Sequence, residues 1–536
     1  MGNGDIVKTF VSIFLIIAST CVYTGDSAGS MPSMELDLGD SDASFWGEDA
    51  DDSAGWSVAG AGDVNDDGYD DVLIGAPYND DGGSDAGQTY LILGKASGWS
   101  MDINLANANA SFRGEEAGVY AGFSVAGAGD VNGDGYDDIL IGAYHDEEGG
   151  YPAGQTYLIL GKASGWSMDT DLSDANASFW GEDADDRSGY SVAGAGDVNG
   201  DGYDDILIGA LYNDDGGLNV GQTYLILGKA SGWSMDNNLS NADASFWGED
   251  VDDRSGRSVA GAGDVNGDGY DDILIGAWYD DDGSDQAGQT YLILGKASGW
   301  SIDTNLSSAD ASFWGENPGD WAGWSVAGVG DVNGDGYDDI LIGAYTNGDG
   351  GVMAGKTYLI LGKASGWSMY TNLSEADASF IGENSGDFSG YSVAGAGDVN
   401  NDEYDDILIG AHYNEDGDIM AGKTYLILGK ASGWSMDIDL SNADASFLGE
   451  GLWDTSGCSV AGAGDVNSDG YDDILIGASN NDDGSGQAGQ TYIVLSSKDF
   501  LITPESDSPF IIPLILGVTV LIVVMAVLVS ILYFRE

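Results

Sequence analysis

A nine-residue stretch crowded with carboxylates returns seven times in this chain at one unvarying interval. It reads D-V-N-D-D-G-Y-D-D from Asp63, and its counterparts begin at Asp130, Asp197, Asp264, Asp331, Asp398 and Asp465, each 67 residues after the last. Spacing without insertion or deletion means that one structural unit has been copied, and that no strand or loop of it can change length without upsetting its neighbours. Such a chain folds as a ring or a stack of units, and its function has to be sought on that scaffold.

The stretch has the chemistry of a cation loop. In the first copy Asp63, Asn65 and Asp67 stand at positions 1, 3 and 5, Gly68 at 6, Tyr69 at 7, offering its carbonyl, and Asp71 at 9. The set recurs as Asp130, Asn132, Asp134, Tyr136, Asp138; as Asp197, Asn199, Asp201, Tyr203, Asp205; and as Asp264, Asn266, Asp268, Tyr270, Asp272. It continues as Asp331, Asn333, Asp335, Tyr337, Asp339; as Asp398, Asn400, Asp402, Tyr404, Asp406; and as Asp465, Asn467, Asp469, Tyr471, Asp473. Oxygen donors at alternate positions, followed by a residue that turns the chain sharply, form the first half of a calcium loop. Position 12 is the apolar Ile74, so the loop closes on the Asp at position 9 and leads into a strand. No Cys or His accompanies the carboxylates, which disfavours transition metals, and magnesium would demand a stricter octahedron with fewer protein oxygens. The expectation is up to seven Ca2+, one per unit. A metal-free Asx and glycine turn is the alternative for a single copy, and seven identical spacings weigh against it. In the sixth copy Glu403 replaces the glycine, so that site is expected to bind most weakly or to need a distorted turn.

Between the acidic loops every unit reads alike. In the second copy a small-residue strand, Gly122 to Val131, enters the loop and an apolar one, Asp138 to Ala143, leaves it. A third strand runs from Gln155 to Gly161, a turn-rich K-A-S-G-W-S-M-D follows, and a fourth strand spans Ser178 to Glu182. Abundant glycine, scarce proline and short β-branched and aromatic runs predict an all-β fold with four strands per unit, a seven-bladed β-propeller over residues 30–497. A spare fourth-type strand, Ala43 to Glu48, precedes the first loop, while the last unit ends after its third strand. Pairing Ser44 to Gly47 with that last blade would latch the ring.

Residues 1–29 read as a secretory signal, with Lys8 before the apolar Phe10 to Ala18 and a small-residue Ser27-Ala28-Gly29 cleavage site. Cys21 follows Thr20, a poor context for lipid modification. After cleavage Cys458 is the remaining cysteine, so no intramolecular disulfide is expected. Residues 498–509 read as a linker, and the charge-free run Phe510 to Phe534 is long enough to span a bilayer as one transmembrane helix, leaving residues 535–536 as a cytoplasmic tail. A cell-membrane protein with its large domain outside is expected. A removable sorting tail is the lesser alternative.

The segment F-S-V-A-G-A-G-D-V-N-G-D-G-Y-D-D-I-L-I-G-A, Phe123 to Ala143, resembles the FG-GAP repeat of integrin α-subunit propellers, as does Gly75-Ala76-Pro77 in the first copy. The resemblance covers about residues 33–500. It implies a seven-bladed ring with calcium on the loops between the first two strands of a blade, on the face away from the usual ligand surface. Integrins carry such loops in only some blades, and here all seven units have one. Pairing with an integrin β-subunit is not implied.

The formal charge of −76 would fall only to about −62 with seven Ca2+ bound. Such a surface suits a saline or calcium-rich exterior and makes nucleic acid and anionic lipid poor partners. The loops opposite the calcium face hold most of the variation between copies: Tyr151-Pro152, Trp278, Asn317 to Trp321 and Leu452-Trp453. Arg113, Arg187, Arg254 and Arg257 stand near them, and pairing with local Asp is expected. Five N-x-S sequons, at Asn109, Asn176, Asn238, Asn305 and Asn372, are compatible with glycosylation. Three functions compete: a calcium-dependent adhesion or ligand-binding module for an extracellular protein or glycan, a structural envelope coat, and a hydrolase. His145 and His412 are the two histidines and form no triad, so an enzyme is disfavoured.

Overall fold

The computed structural model describes residues 34–497 except 148, 149, 483 and 485. They form seven five-stranded sheets. In the first, Ser57–Gly62, Asp71–Ala76, Gln88–Ile92 and Ala110–Arg113 pair antiparallel in that order. Thr170–Asp171 adds a fifth strand of two residues, parallel to the fourth. That fifth strand corrects the expected four-stranded unit. It comes from the turn-rich stretch of the following repeat, so in six of the seven blades the next repeat round the ring straps the outer edge of the blade before it.

Composition follows position in the blade. The second strand is buried along all six residues because neighbouring sheets cover both its faces, which is why D-I-L-I-G-A shows no alternation. The innermost strand is S-V-A-G-A-G because seven of them converge on the axis. There each Val N–H donates to a Ser Oγ of the preceding blade at 3.1–3.2 Å, from Val125 to Ser57 round to Val460 to Ser392. Val58 closes the belt on Ser459, 401 residues away, also at 3.1 Å. The structure is therefore a closed ring.

The latch is double. Ala43–Trp46 pairs antiparallel with the third strand of the seventh blade, Gln490–Val494, as the spare-strand argument predicts. Met34–Asp37 was not foreseen, and it lies parallel to Ala445–Leu448 as the outer strand of the sixth blade. The described residues contain seven short 3-10 turns and no helix long and apolar enough to cross a membrane. The expected signal, linker, membrane span and tail lie outside the described residues.

The 3-10 turns decide which sequons are available. Asn238, Asn305 and Asn372 cap these turns through Oδ1. Their Nδ2 atoms donate to the Gly181, Gly248 and Gly315 carbonyls at 3.0–3.5 Å. Asn109 and Asn176 are exposed and use only Oδ1, for the Leu93 and Leu160 amides. Expression in glycosylating cells should therefore load Asn109 and Asn176. Equal occupancy at Asn305 by glycopeptide mass spectrometry would contradict this.

Candidate functional site

Each acidic loop is wound around its first carboxylate. Asp63 Oδ1 accepts from the Asp67 amide at 3.0 Å and Oδ2 from the Gly68 amide at 2.7 Å, while Asp67 Oδ1 accepts from Tyr69 at 3.2 Å. The fully buried Asp71 closes the loop: Oδ1 takes the Gly94 amide at 2.7 Å and Oδ2 the Val64 amide at 3.1 Å. Asn65 Nδ2 also reaches Asp71 Oδ2, at 3.3 Å. Burial pushes the Asp71 carboxyl up to about 7, the two amides oppose that shift, and Asp63 and Asp67 add to it. Asp138, Asp205, Asp272 and Asp339 are likewise raised to about 7, and Asp406 and Asp473 to about 8.

The loop thus brings all five sequence-predicted positions of each copy into one turn. The donors are oxygens, they crowd negative charge around a buried carboxylate, and this chemistry fits a hard divalent cation. Among the described residues no three Asp, Glu, His or Cys side chains converge as a ready-made metal centre. Asn65 Nδ2 donates to Asp71 Oδ2 and so partly offsets the negative charge of the loop.

The sixth copy keeps the turn at a cost. Glu403 takes the left-handed φ of 72° that Gly68 takes at 88°. Its amide still reaches Asp398 Oδ2 at 2.8 Å. The Asn-to-Asp bond that the other six copies make between positions 3 and 9 has no counterpart from Asn400.

Sequence reading missed the eighth position. Asp137 Oδ2 accepts from the Asp63 amide of the preceding blade at 2.8 Å, and the pattern runs round the ring to Asp70 and Asp465 at 2.7 Å. Gly62 leaves room for it: a Cβ there would lie 2.1 Å from Asp137 Oδ2, and its φ is +68°. The doubled Asp of every copy was the available signal. One member shuts its own loop, and the other ties adjacent loops into a belt.

At the opposite end of the innermost strands the ring opens into a cavity of about 420 Å³ lined by Trp56, Phe123, Tyr190, Arg257, Trp324 and Tyr391, among others. Arg257 lies 4.0 Å over Trp324, Arg254 4.6 Å over Tyr279 and Arg187 4.7 Å over Tyr212. Of the four arginines only Arg113 makes the expected ion pair among the described residues, with Asp171 at 3.5 Å. The other three lie over aromatic rings, Arg187 and Arg254 within their own blade and Arg257 on a ring of the next. His412 also lines the cavity, and burial drops its pKa to about 3, so it stays neutral. His145 holds the Gly118 carbonyl through Nδ1 at 3.0 Å.

Buried polar ties fix the loops around this mouth. Asn79 Nδ2 joins Asp52 Oδ2 at 3.1 Å and Tyr90 Oη at 3.2 Å. The tie recurs as Asp186 with Asn213, Asp320 with Asn347, and Asp387 with Asn414. In the fourth blade both partners are acids, Asp253 and Asp280, each at most 2% exposed. Burial raises Asp253 to about 8, with Asp280 adding to the shift, and burial raises Asp280 to about 7. Carboxyls whose folded pKa is raised favour folding while protonated, so this pair erodes stability as pH climbs from about 4 to about 8. Asp280→Asn restores the tie of the other blades. It should raise stability at pH 8, where the buried pair would otherwise have to ionise, by an amount on the order of a few kcal/mol, and by little at pH 4. Urea melts of both proteins at the two pH values check this, and an equal gain at both would refute it.

Against protein-family models, residues 54–92, 121–159, 188–226, 255–293, 322–360 and 459–494 match the FG-GAP repeat. The sixth unit, with Glu403, lies between the matched segments. Among curated proteins the chain is 33% identical over 240 residues to integrin alpha pat-2 of Caenorhabditis briggsae, covering 42% of this chain and 18% of that one. It is 33% identical over 239 residues to integrin alpha-V of Gallus gallus and over 232 to integrin alpha-5 of Xenopus laevis, covering 42% of this chain and 20% of each relative. The match thus spans about a fifth of these relatives. With its closed ring of seven sheets, the molecule is an FG-GAP-repeat β-propeller similar to that of integrin α-subunits.

Proposed function

We propose that this chain is a calcium-rigidified, non-enzymatic ligand-binding or adhesion module displayed on a cell surface. The observation that carries the reading is the division of the ring into two chemically distinct ends. One end is a belt of seven oxygen-rich loops tied through Asp70, Asp137 and their counterparts. The other is an aromatic mouth with stacked arginines, on loops pinned by buried ties. In each copy the residues at positions 1, 3, 5, 7 and 9 would hold the ion, which supplies positive charge to a negative cluster and stiffens the turn. The mouth then contacts an extracellular protein or glycan, since aromatic side chains add contact area at small entropic cost. The N-terminal signal and the apolar run 510–534 support single-pass display.

Probing the chain on protein and glycan arrays with calcium and with EDTA tests this. Selective binding that chelation abolishes, and that Trp324→Ala weakens, is expected. Binding that is indifferent to both would overturn the reading.

A further inference from the structure

The outer rim of several blades carries a second acidic arrangement, away from the cation loops. In the fifth blade it is filled by the chain itself. Lys356, 1% exposed, places Nζ 2.7 Å from Glu316, 3.0 Å from Asp349 and 2.8 Å from Asp437. In the sixth, Lys423 Nζ lies 2.9 Å from Glu383, 2.9 Å from Asp416 and 3.4 Å from Glu35. Two blades therefore show what this geometry binds: a primary ammonium, at hydrogen-bond distances from three carboxylates.

Elsewhere a glutamine replaces the lysine, and most of the described copies compensate. In the first blade Arg113 stands across from Gln88, where its charge opposes the upward push of burial on the Asp81 carboxyl, and Gln88 Nε2 donates to Asp169 at 3.5 Å. In the fourth, Tyr370 takes the place of one acid and donates its hydroxyl to Glu249 at 2.8 Å, while Gln289 Nε2 reaches the same carboxylate at 3.3 Å. The corresponding acids of the second and seventh blades include residues 148 and 483, outside the described residues.

The third blade keeps all three acids, Glu182, Asp215 and Asp303, with no cation of the chain among them. Gln222 stands where Lys356 stands in the fifth blade. It is fully buried, and neither its Oε1 nor its Nε2 has a hydrogen-bond partner. Burial raises the Glu182 carboxyl, and Asp215 and Asp303 add to the shift. A cleft of about 520 Å³ opens here, bounded by the three acids, Ser240, Trp247 and Ile302. Trp247 pairs across the sheet from Gln222, where the fifth blade has Ile381 opposite Lys356. An unpartnered buried amide and three carboxylates with no cation among them, of which Glu182 is bonded by the Tyr224 hydroxyl, beside an indole and an aliphatic wall suit a charged head on an apolar stem.

We propose that the third-blade cleft bounded by Glu182, Asp215, Asp303 and Trp247, with Gln222 across the sheet from Trp247, binds a primary alkylammonium group from another molecule. The ammonium takes the place of Lys356 Nζ, and the stem lies against Trp247 and Ile302. A primary amine is favoured over an inorganic cation because the fifth and sixth blades each place an ammonium among the corresponding acids. The site uses none of the loop ligands and stands whether or not those loops hold calcium.

The test labels the full chain with a diazirine-bearing alkylamine at 150 mM NaCl and maps the adducts by peptide mass spectrometry. Labelling at the Trp247 and Ile302 segments is expected, displaced by excess butylammonium but not by tetramethylammonium, which offers charge without N–H donors. It should persist in EDTA, which separates this site from the calcium reading. Gln222→Lys should cut the labelling at least tenfold by supplying the ammonium internally. Asp303→Asn, an exposed change that leaves the core alone, should cut it several-fold. Lys356→Gln with Ile381→Trp should create new labelling at the fifth blade. Stronger displacement by Nα-acetyl-lysine methylamide than by spermidine marks a partner protein's lysine as the source, and the reverse marks a free polyamine. Labelling unchanged in both Gln222→Lys and Asp303→Asn, or displaced equally by tetramethylammonium, overturns the proposal.

Discussion

Chelating calcium should lower the melting temperature of the purified chain by roughly 15 °C or more. A ligand that binds only the folded state at a hundred times its dissociation constant contributes about 2.7 kcal/mol per site, and a large domain shifts by one to a few degrees per kcal/mol. Seven such loops make the sum large. Their location makes it effective, because each loop is bonded to the next through the eighth-position Asp, so loosening one loosens the belt. Sodium chloride at matched ionic strength should recover only the part due to screening of the −76 charge. Magnesium should recover less than calcium. The sixth loop should fill last, and Glu403→Gly should raise its affinity by removing the strained turn. Calorimetric scans in calcium, EDTA and magnesium decide the matter. A melting temperature unmoved by EDTA would remove metal from the account of this fold.

How much of this could be read from the residues depends on how far away each partner lies. Asp138 to Ala143 was legible to the residue, because burial on both faces writes an unbroken apolar run. The positive φ carried by Glu403 was legible too, since the other six copies have glycine there. Thr170–Asp171 was not, for two residues carry no periodicity and the strand exists only because the previous blade presents an edge. The clamp from Asp137 to the Asp63 amide spans 74 residues and uses a side chain that looks like a spare copy of its ligand-like neighbour. Arg257 was expected to pair with a local Asp, and the ring it covers instead, Trp324, comes from the next repeat. Substitution of Lys by Gln at positions 88 and 222 against 356 and 423 was in plain view, yet it means nothing until the acids around those positions are seen to converge.

Deleting Met34 to Trp46 should abolish cooperative folding of the monomer. The segment supplies the fourth strand of the seventh blade and the fifth of the sixth, so its loss leaves two sheets short at adjacent places in the ring. Phe45 and Leu38, 2% and 1% exposed, leave the core with it. Burial of two such side chains is worth about 3–6 kcal/mol, and the stripped strands add unpaired backbone groups, so the loss is of the order of a whole domain's stability. Ile103–Asn104 also loses its partner strand, and the Leu495 amide loses Asp42 Oδ2 at 2.9 Å. The bared edge of Gln490–Val494 is buried in the intact ring, and once exposed it is a template for pairing with another copy. Size-exclusion chromatography should show the truncated chain as oligomers, and its thermal transition should broaden. A synthetic peptide of residues 34–46, added in trans, should restore a monomer, because the latch holds by strand pairing and packing with no covalent bond. Phe45→Ala gives the milder version, expected to cost about 3 kcal/mol while leaving the ring closed. A truncated chain that stays monomeric and melts within two degrees of the parent would mean that the serine belt, from Val125 to Ser57 round to Val58 and Ser459, closes the ring unaided.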